Sequence, residues 1–466
     1  MKKRLSVLMS IVLFFVFILG ISLTLVPKKA NAIPAFAQKY HFSCAVCHTV
    51  FPNLNPFGRA FWRNGFRLPN TNGTPADATQ ITQGLSLPNP WPIPIMLEPI
   101  IGYQHYTNEN VSQATDAFSA SVDVVDAGAF KLYTPFANSL SFYVHYGFTG
   151  KGLISGKQIF ASINGLGSGF GMPSHLFNLK LGLVTTASPY FYRQMPFYLI
   201  EGPVGNGQGL AVGFDGEKGS LIHARNPGIA LYGTPGYHLW YKVTVTNDAG
   251  ANTYNIVGNN ASNAMQYSYQ LKEYYPVSIG QIEFGYYGTI IGEPMSQPIG
   301  TGGTEHYTNR VTVNGLDADL ANDIYELGLT YMVQSDSKPY GPGGIPYDST
   351  TQTSNGYNTF EIYARYLFPQ VGYGLMLSAD YAQYSWTHAN AQEAFNGYYG
   401  TTCANAGLYE YMPYTSSNGC LNKGIKDALS LQAEYNLAYN AHLYFGYVLT
   451  NESEDNTFGT GLDFAF

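Results

Sequence analysis

The C-terminal segment of the chain alternates between apolar residues and small or polar ones, and this pattern constrains the fold more than any other feature. Phe, Thr, Leu, Phe and Phe occupy every second position from Phe458 to Phe466, separated by Gly, Gly, Asp and Ala. Because successive side chains of a β-strand point to opposite faces, the alternation predicts a strand with one apolar face. Taken alone, the segment also fits an edge strand of a soluble sheet.

Similar alternation recurs throughout the chain, and the composition fits a barrel that spans a membrane. Charged residues make up only 11% of the sequence, against about 25% in a typical soluble protein. Few charges, 39 Tyr and 51 Gly are typical of an outer-membrane β-barrel, and such barrels commonly end on an aromatic residue. The alternation predicts sixteen antiparallel strands with their apolar faces outward, at residues 95–106, 117–133, 138–148, 157–170, 176–187, 226–233, 238–246, 263–273, 277–289, 306–316, 323–334, 358–368, 371–384, 425–437, 442–450 and 456–466.

The connections between these strands are predicted to alternate between short and long. In such barrels the short turns face the periplasm and the long loops face the outside. An even strand number therefore places both ends of the barrel on the periplasmic side, so that the preceding residues enter the lumen from there as a plug. Short turns are predicted at 134–137, 234–237, 274–276, 369–371 and 438–441, and long connections at 187–226, 248–263, 292–305, 335–358 and 385–424.

The N-terminus has the charged start and apolar run of an export signal. Basic residues at 2–4 precede an apolar run over 5–26, and Ala30-Asn31-Ala32 fits a cleavage site. An uncleaved anchor is the alternative, because the run is long enough to span a bilayer. The predicted organisation is a signal peptide over 1–32, a small α-helical module over 33–92 and a β-barrel over 93–466, joined by a stiff Pro-rich connector at 87–94.

The module begins with Cys44-Ala45-Val46-Cys47-His48, which has the spacing of a c-type haem attachment site. In such sites the two thiols bind the haem covalently and the adjacent His is the proximal iron ligand. The motif predicts one covalently bound haem, held by Cys44 and Cys47, with His48 on the iron. The alternative is a structural disulfide with an uninvolved His.

A short helix is predicted after this motif. Asn55 is suited to cap it, Pro56 to occupy its first position and Gly65 to follow its end. Phe57 and Phe61 then share one face and can cover a haem edge.

Arg59 and Arg63 share another face of the same helix. We expect these two arginines to pair with the haem propionates. Solvation or contact with the barrel wall is the alternative.

The sixth ligand of the haem iron is not evident from the sequence. Met96 is the leading candidate, because the module itself contains no Met. His41, His105 and His145 are the others, and an open sixth position would permit peroxide chemistry.

The two remaining cysteines, Cys403 and Cys420, lie in one polar segment predicted to be a surface loop. In an exported protein this favours a disulfide that closes the loop. Metal binding by the pair is disfavoured, because no nearby His or second Cys pair completes a site.

Residues 32–61 carry a family resemblance. They include Ile33-Pro34-Ala35-Phe36-Ala37, the haem motif, and Pro52-x-Leu54-x-Pro56-Phe57-Gly58-x-x-Phe61. This pattern resembles the fused monohaem c-type cytochrome–porins of the bacterial outer membrane, best known as iron oxidases of iron-oxidising bacteria. The resemblance implies oxidation of extracellular Fe(II), with the electron passed through the haem to a periplasmic soluble cytochrome or copper protein.

Two other functions fit the same residues. A peroxidase-like haem enzyme requires an open iron position, and a diffusion porin with an appended cytochrome requires an open pore. A net charge of −7 does not suggest a nucleic-acid partner. We therefore expect an outer-membrane protein in contact with lipid, with the cytochrome module on the periplasmic side or inside the lumen.

Overall fold

The computed structural model describes part of the chain, and every structural statement below refers to that part. The described residues are 40, 42–50, 53–66, 68, 79–82, 85–87, 95–106, 119–132, 136–137, 139–149, 154–185, 214–215, 219–220, 225–236, 238–247, 265–299, 303–336, 355–386, 427–438, 441–450 and 457–464.

The N-terminal residues form short elements. They are helix α1 (Cys44–Cys47), strands β1 (His48–Val50) and β2 (Asn53–Leu54), helix α2 (Pro56–Arg63), and strands β3 (Thr79–Thr82) and β4 (Leu85–Leu87). Helix α2 begins at Asn55, whose Oδ1 accepts a hydrogen bond from Gly58 N at 2.9 Å, and it ends before Gly65, which has a φ of 69°. The predicted helix and its cap are therefore confirmed.

Sixteen of the described strands close into one antiparallel barrel, and the hairpin of β3 and β4 is joined to the same sheet by the pairing of β4 with β6. Strand β22 pairs with β5, opposing Gly461 to Gly102, and this pairing closes the cylinder. A two-stranded hairpin of β10 (Phe214–Asp215) and β11 (Gly219–Ser220) lies outside the barrel sheet. The barrel strands are β5 (Ile95–Tyr106), β6 (Ser119–Leu132), β7 (Ser139–Thr149), β8 (Ile154–Asn164), β9 (Asn178–Thr185), β12 (Arg225–Gly233), β13 (Leu239–Asn247), β14 (Met265–Val277), β15 (Gly280–Ile299), β16 (Gly303–Ala321), β17 (Tyr325–Asp336), β18 (Asn355–Phe368), β19 (Leu375–Trp386), β20 (Asp427–Ala438), β21 (Ala441–Thr450) and β22 (Thr457–Phe464).

Each predicted strand overlaps an observed barrel strand, but several boundaries differ. The strand predicted over 157–170 ends at Asn164. Gly165 and Gly167 follow with φ values of 66° and 76°, and a 3₁₀ turn covers Ser168–Phe170. Glycine adopts this left-handed conformation without steric cost, so the chain turns there instead of extending.

Two predicted connections were also wrong. The turn expected at 274–276 lies beyond Val277, because β14 continues to that residue. The long connection expected at 292–305 is largely strand, since pairing between β15 and β16 continues to Ile299 opposite Gly303. The polar composition of this stretch indicated a long connection, but backbone hydrogen bonds between two strands form without any apolar alternation.

The two faces of the barrel differ in the predicted way. On the neighbouring strands β15, β16 and β17, Phe284, Leu316 and Leu327 are 54%, 58% and 53% exposed on the outer face. Glu283 and Glu326, next to them in sequence, are buried on the inner face. The outer surface is therefore apolar and the lumen polar, as a membrane-spanning barrel requires.

In the described part of the chain, no helix is both long and apolar enough to cross a membrane.

Candidate functional site

The residues around the haem motif pack against the inner face of the barrel. We call residues 40–68, as far as they are described, the N-terminal segment. Val50 packs with Tyr363 of β18 and Met376 of β19. On another side, the ring of Trp62 lies 6.0 Å from that of Trp240 on β13. The segment therefore sits in the lumen and touches several separate parts of its wall.

Further contacts place the segment toward one end of the barrel. Trp240 Nε1 donates to Arg63 O at 3.2 Å, and the Phe66 ring stacks 5.4 Å from that of Tyr143 on β7. The ion-pair partners Glu283 and Glu326 lie near the first residues of β15 and β17. Both strands start at short connections, so the segment occupies the half of the lumen nearest those turns.

Helix α2 is held to the wall by buried ion pairs, which together form what we call the charged cluster. Arg59 contacts Asp319 and, through Nη2, Glu326 Oε2 at 2.7 Å. Arg63 forms a two-pronged pair with Glu283, with N–O distances of 3.2 and 2.5 Å. The cluster consists of Arg59, Arg63, Lys272, Glu283, Asp317, Asp319, Glu326 and Arg365, all nearly or fully buried.

The charges of the cluster balance. The wall contributes four carboxylates but only two cations, Lys272 and Arg365. The two arginines of helix α2 supply the remaining two positive charges. A buried charge is costly unless it is paired, so the wall is complementary to this helix.

Arg59 and Arg63 were predicted to pair with the haem propionates, and their contacts in the structure bear on that prediction. Both guanidinium groups are engaged by carboxylates of the wall, and the two side chains are 0% and 2% exposed. The structure thus favours the alternative of wall contact over pairing with haem propionates. Binding of propionates by these two residues stays a prediction with no support from their geometry.

The haem motif itself is tied to the start of helix α2. Asn55 Nδ2 donates to Ala45 O at 3.3 Å and to Val46 O at 3.1 Å. The backbone N–H of Asn55 donates to Cys47 O at 2.9 Å. Residues 44–48 therefore form a fixed turn against the helix.

The surroundings of this turn fit a covalently attached haem. Cys47 and His48 are only half-buried, so neither is enclosed by the protein. Phe57 is 37% exposed and its ring stacks 6.4 Å from that of Phe61, as predicted. Phe42 packs against Phe57 at 5.9 Å, giving an aromatic surface beside the motif.

Several predicted site residues lie outside the described side chains. Met96 and His105 are on β5 and His145 is on β7, so each belongs to the barrel wall. The Met96 side chain itself is not among those described, and its role as sixth ligand stays a prediction. Cys403 and Cys420 lie outside the described residues, as does His41, and the predicted disulfide is untested.

No group of three or more His, Cys, Asp and Glu side chains is arranged to hold a metal ion among the residues described here. Sequence reasoning also missed the carboxylates that hold helix α2. In the sequence, each of these carboxylates is marked only by an acidic residue on the polar face of a strand, close to a short turn.

The fold defines the class of this protein as a porin-like β-barrel. Solved structures similar to it include OprB of Pseudomonas putida, with a TM-score of 0.50 at 7% identity over 82% of this chain and 94% of that one. An anion-selective porin from Comamonas acidovorans has a TM-score of 0.49 at 9% identity, over 80% of this chain and 99% of the porin. OmpF of Salmonella typhi, in complex with daunomycin, has a TM-score of 0.48 at 11% identity, covering 80% and 98%. No family of known sequences and no curated protein matches the chain.

Proposed function

We propose that this protein is an outer-membrane electron conduit that oxidises extracellular Fe(II) and delivers the electron to a periplasmic soluble cytochrome or copper protein. The observation that carries the proposal is the seating of the Cys44–His48 motif inside the lumen through helix α2. The donor is inferred from the resemblance of residues 32–61 to the iron oxidases.

A c-type haem attached at Cys44 and Cys47 would supply the one-electron carrier. The residues of this chain have separate tasks in that scheme. His48 would hold the iron on the proximal side, and the aromatic surface at Phe57 would shield the ring from water. The charged cluster would keep the module at the periplasmic half of the lumen, within reach of an acceptor on that side.

The interior of the barrel supports the transfer of electrons in preference to solutes. Thr289 and Val313 lie near the middle of β15 and β16, and Ala382 lies in the second half of β19; all three face inward and are 0% exposed. An open channel would leave such side chains in contact with water. A filled lumen would let an external reductant meet a periplasmic acceptor without admitting iron to the periplasm.

The experiment is an anaerobic absorbance trace of the oxidised, purified protein mixed with Fe(II) at acidic and near-neutral pH. Fast appearance of reduced haem bands is the expected result. If dithionite reduces the haem but Fe(II) does not, the donor is wrong. If the purified protein contains no covalent haem, the electron-conduit proposal is wrong.

A diffusion porin is the second candidate, and the similarity of the barrel to OprB is the observation that favours it. A diffusion porin would give steady ionic conductance in a planar bilayer and swelling of sugar-loaded liposomes. We expect the unmodified protein to give neither.

A further inference from the structure

Asn55 joins two parts of the N-terminal segment through hydrogen bonds from both its side chain and its backbone. Its Nδ2 donates to the carbonyl oxygens of Ala45 and Val46, and its Oδ1 accepts from Gly58 N at 2.9 Å. Its backbone N–H donates to Cys47 O at 2.9 Å, and its own carbonyl accepts from Arg59 N at 2.9 Å. The side chain is buried, with the residue 3% exposed. The N-cap position explains the bonds from Gly58 N and Arg59 N, but not the three bonds to the carbonyl oxygens of Ala45, Val46 and Cys47.

Gly58, in the first turn of helix α2, packs closely against the haem motif. A Cβ added at Gly58 would overlap the carbonyl oxygen of Cys47 and lie 2.9 Å from the carbonyl carbon. The backbone of helix α2 therefore touches the backbone of the haem motif directly. Because both partners are main chain, a larger residue at Gly58 would have to displace the motif.

The same helix is fixed to the barrel one residue later. Arg59 Nε donates to Leu54 O at 3.2 Å, and Arg365 of the wall donates to the same oxygen at 3.4 Å. The contacts thus run without a gap from the wall, through helix α2 and Asn55, to the peptide groups of residues 45–47. In metal sites, groups that orient the ligands in this way typically change affinity or activity by about 10–100-fold when removed.

We propose that Asn55 is a positioning residue, which sets the direction in which Cys47 and His48 present their side chains to the haem and its iron. This inference rests on the proposed function only in assuming that the motif carries a haem. In this role the side-chain Nδ2 holds the attachment turn through its bonds to Ala45 O and Val46 O, while Oδ1 caps helix α2.

The test uses the full-length protein purified from outer membranes, with Asn55→Asp as the main variant. Aspartate keeps the oxygen that caps helix α2, but it replaces both amide donors with an acceptor facing the oxygens of Ala45 and Val46. Asn64→Asp is the matched control, because Asn64 lies at the other end of the helix, where its amide donates to Leu68 O at 3.4 Å and not to the haem motif. Gly58→Ala displaces the same turn by a different route.

Three readouts separate positioning from general stability: covalent haem per polypeptide, midpoint potential, and the low-temperature EPR spectrum of the oxidised haem. We expect Asn55→Asp and Gly58→Ala to shift the potential and the EPR signal of the loaded fraction and to lower haem content. Asn64→Asp should match the unmodified protein. Heat-modified gel migration checks that each barrel is folded.

Unchanged potential, spectrum and haem content in both Asn55→Asp and Gly58→Ala would overturn the positioning role and leave the electron-conduit proposal intact. A shifted spectrum in these variants, with haem that Fe(II) never reduces, would support the positioning role and reject the iron donor. Absence of covalent haem from the unmodified protein would reject both.

Discussion

Replacing Arg59 with methionine should release helix α2 from the barrel wall. Arg59 is fully buried and contacts Asp319, Glu326 at 2.7 Å and, more distantly, Glu283 at 3.8 Å. Methionine fills similar space but leaves these carboxylates without their shared cation. Removing one partner of a buried ion pair typically costs about 3–5 kcal/mol. Each 1.4 kcal/mol is a factor of ten, so the ratio of seated to released segment should fall by roughly two to three and a half orders of magnitude.

The assay is single-channel conductance in planar bilayers, paired with hydrogen exchange of residues 44–66. We expect a closed unmodified protein and intermittent openings in Arg59→Met, together with faster exchange in the segment. Arg310→Met is the control, because Arg310 is exposed on the outer side of β16 and an exposed charge contributes about 1 kcal/mol or less. Identical conductance and exchange in Arg59→Met and the unmodified protein would refute the argument that the charged cluster seats the helix.

Three further outcomes are expected. Gly285→Ala should destabilise the barrel by about 1–3 kcal/mol, because the new Cβ would overlap the carboxylate of Asp317; urea titration in micelles measures the loss, and an unchanged midpoint would contradict it. Leu329→Arg, on the outer face in the middle of β17, should lower the folding free energy in lipid by about 2–4 kcal/mol, whereas Val277→Arg, at the end of β14, should lower it by about 0–1 kcal/mol. Equal folding free energies of the two variants in vesicles would show that Leu329 does not lie deeper in the bilayer than Val277. Cys47→Ser should leave at most one thioether to a haem, so the reduced absorption band should move to longer wavelength; an unmoved band would exclude attachment through this thiol.

Much of the barrel was predictable, because lipid outside and polar groups inside impose opposite demands on neighbouring positions. Glu283 and Phe284 show this at one step of β15: the first is buried inward and the second is 54% exposed outward. This alternation can be recognised along each strand from the sequence alone, and it predicted the sixteen strands that close the barrel among the described residues. It failed at 292–305, where the strands pair without that constraint.

The candidate site was predictable only in its local part. The spacing of Cys44, Cys47 and His48 is short-range, as is the cap of helix α2 by Asn55. The partners of the helix were not predictable, since Arg59 and Asp319 lie 260 positions apart. Their pairing depends on which strands face the segment once the cylinder has closed, and no local pattern records that arrangement. The alternative of wall contact for Arg59 and Arg63 was foreseen, but the identity of the wall residues was not.

The long sequence separation within the charged cluster has a consequence for the order of assembly. Helix α2 precedes every wall partner in the chain, by 220 positions for Glu283 and 260 for Asp319. It cannot reach its seat until β15, β16 and β17 lie side by side, so the earliest-made helix is among the last parts to dock. Until then the wall residues of the charged cluster hold two carboxylates in excess of their two cations, and the arrival of the two arginines pairs them. Seating of helix α2 thus requires β15, β16 and β17 to be paired first, and a barrel that closed with the module outside would leave two carboxylates of the charged cluster without their cations.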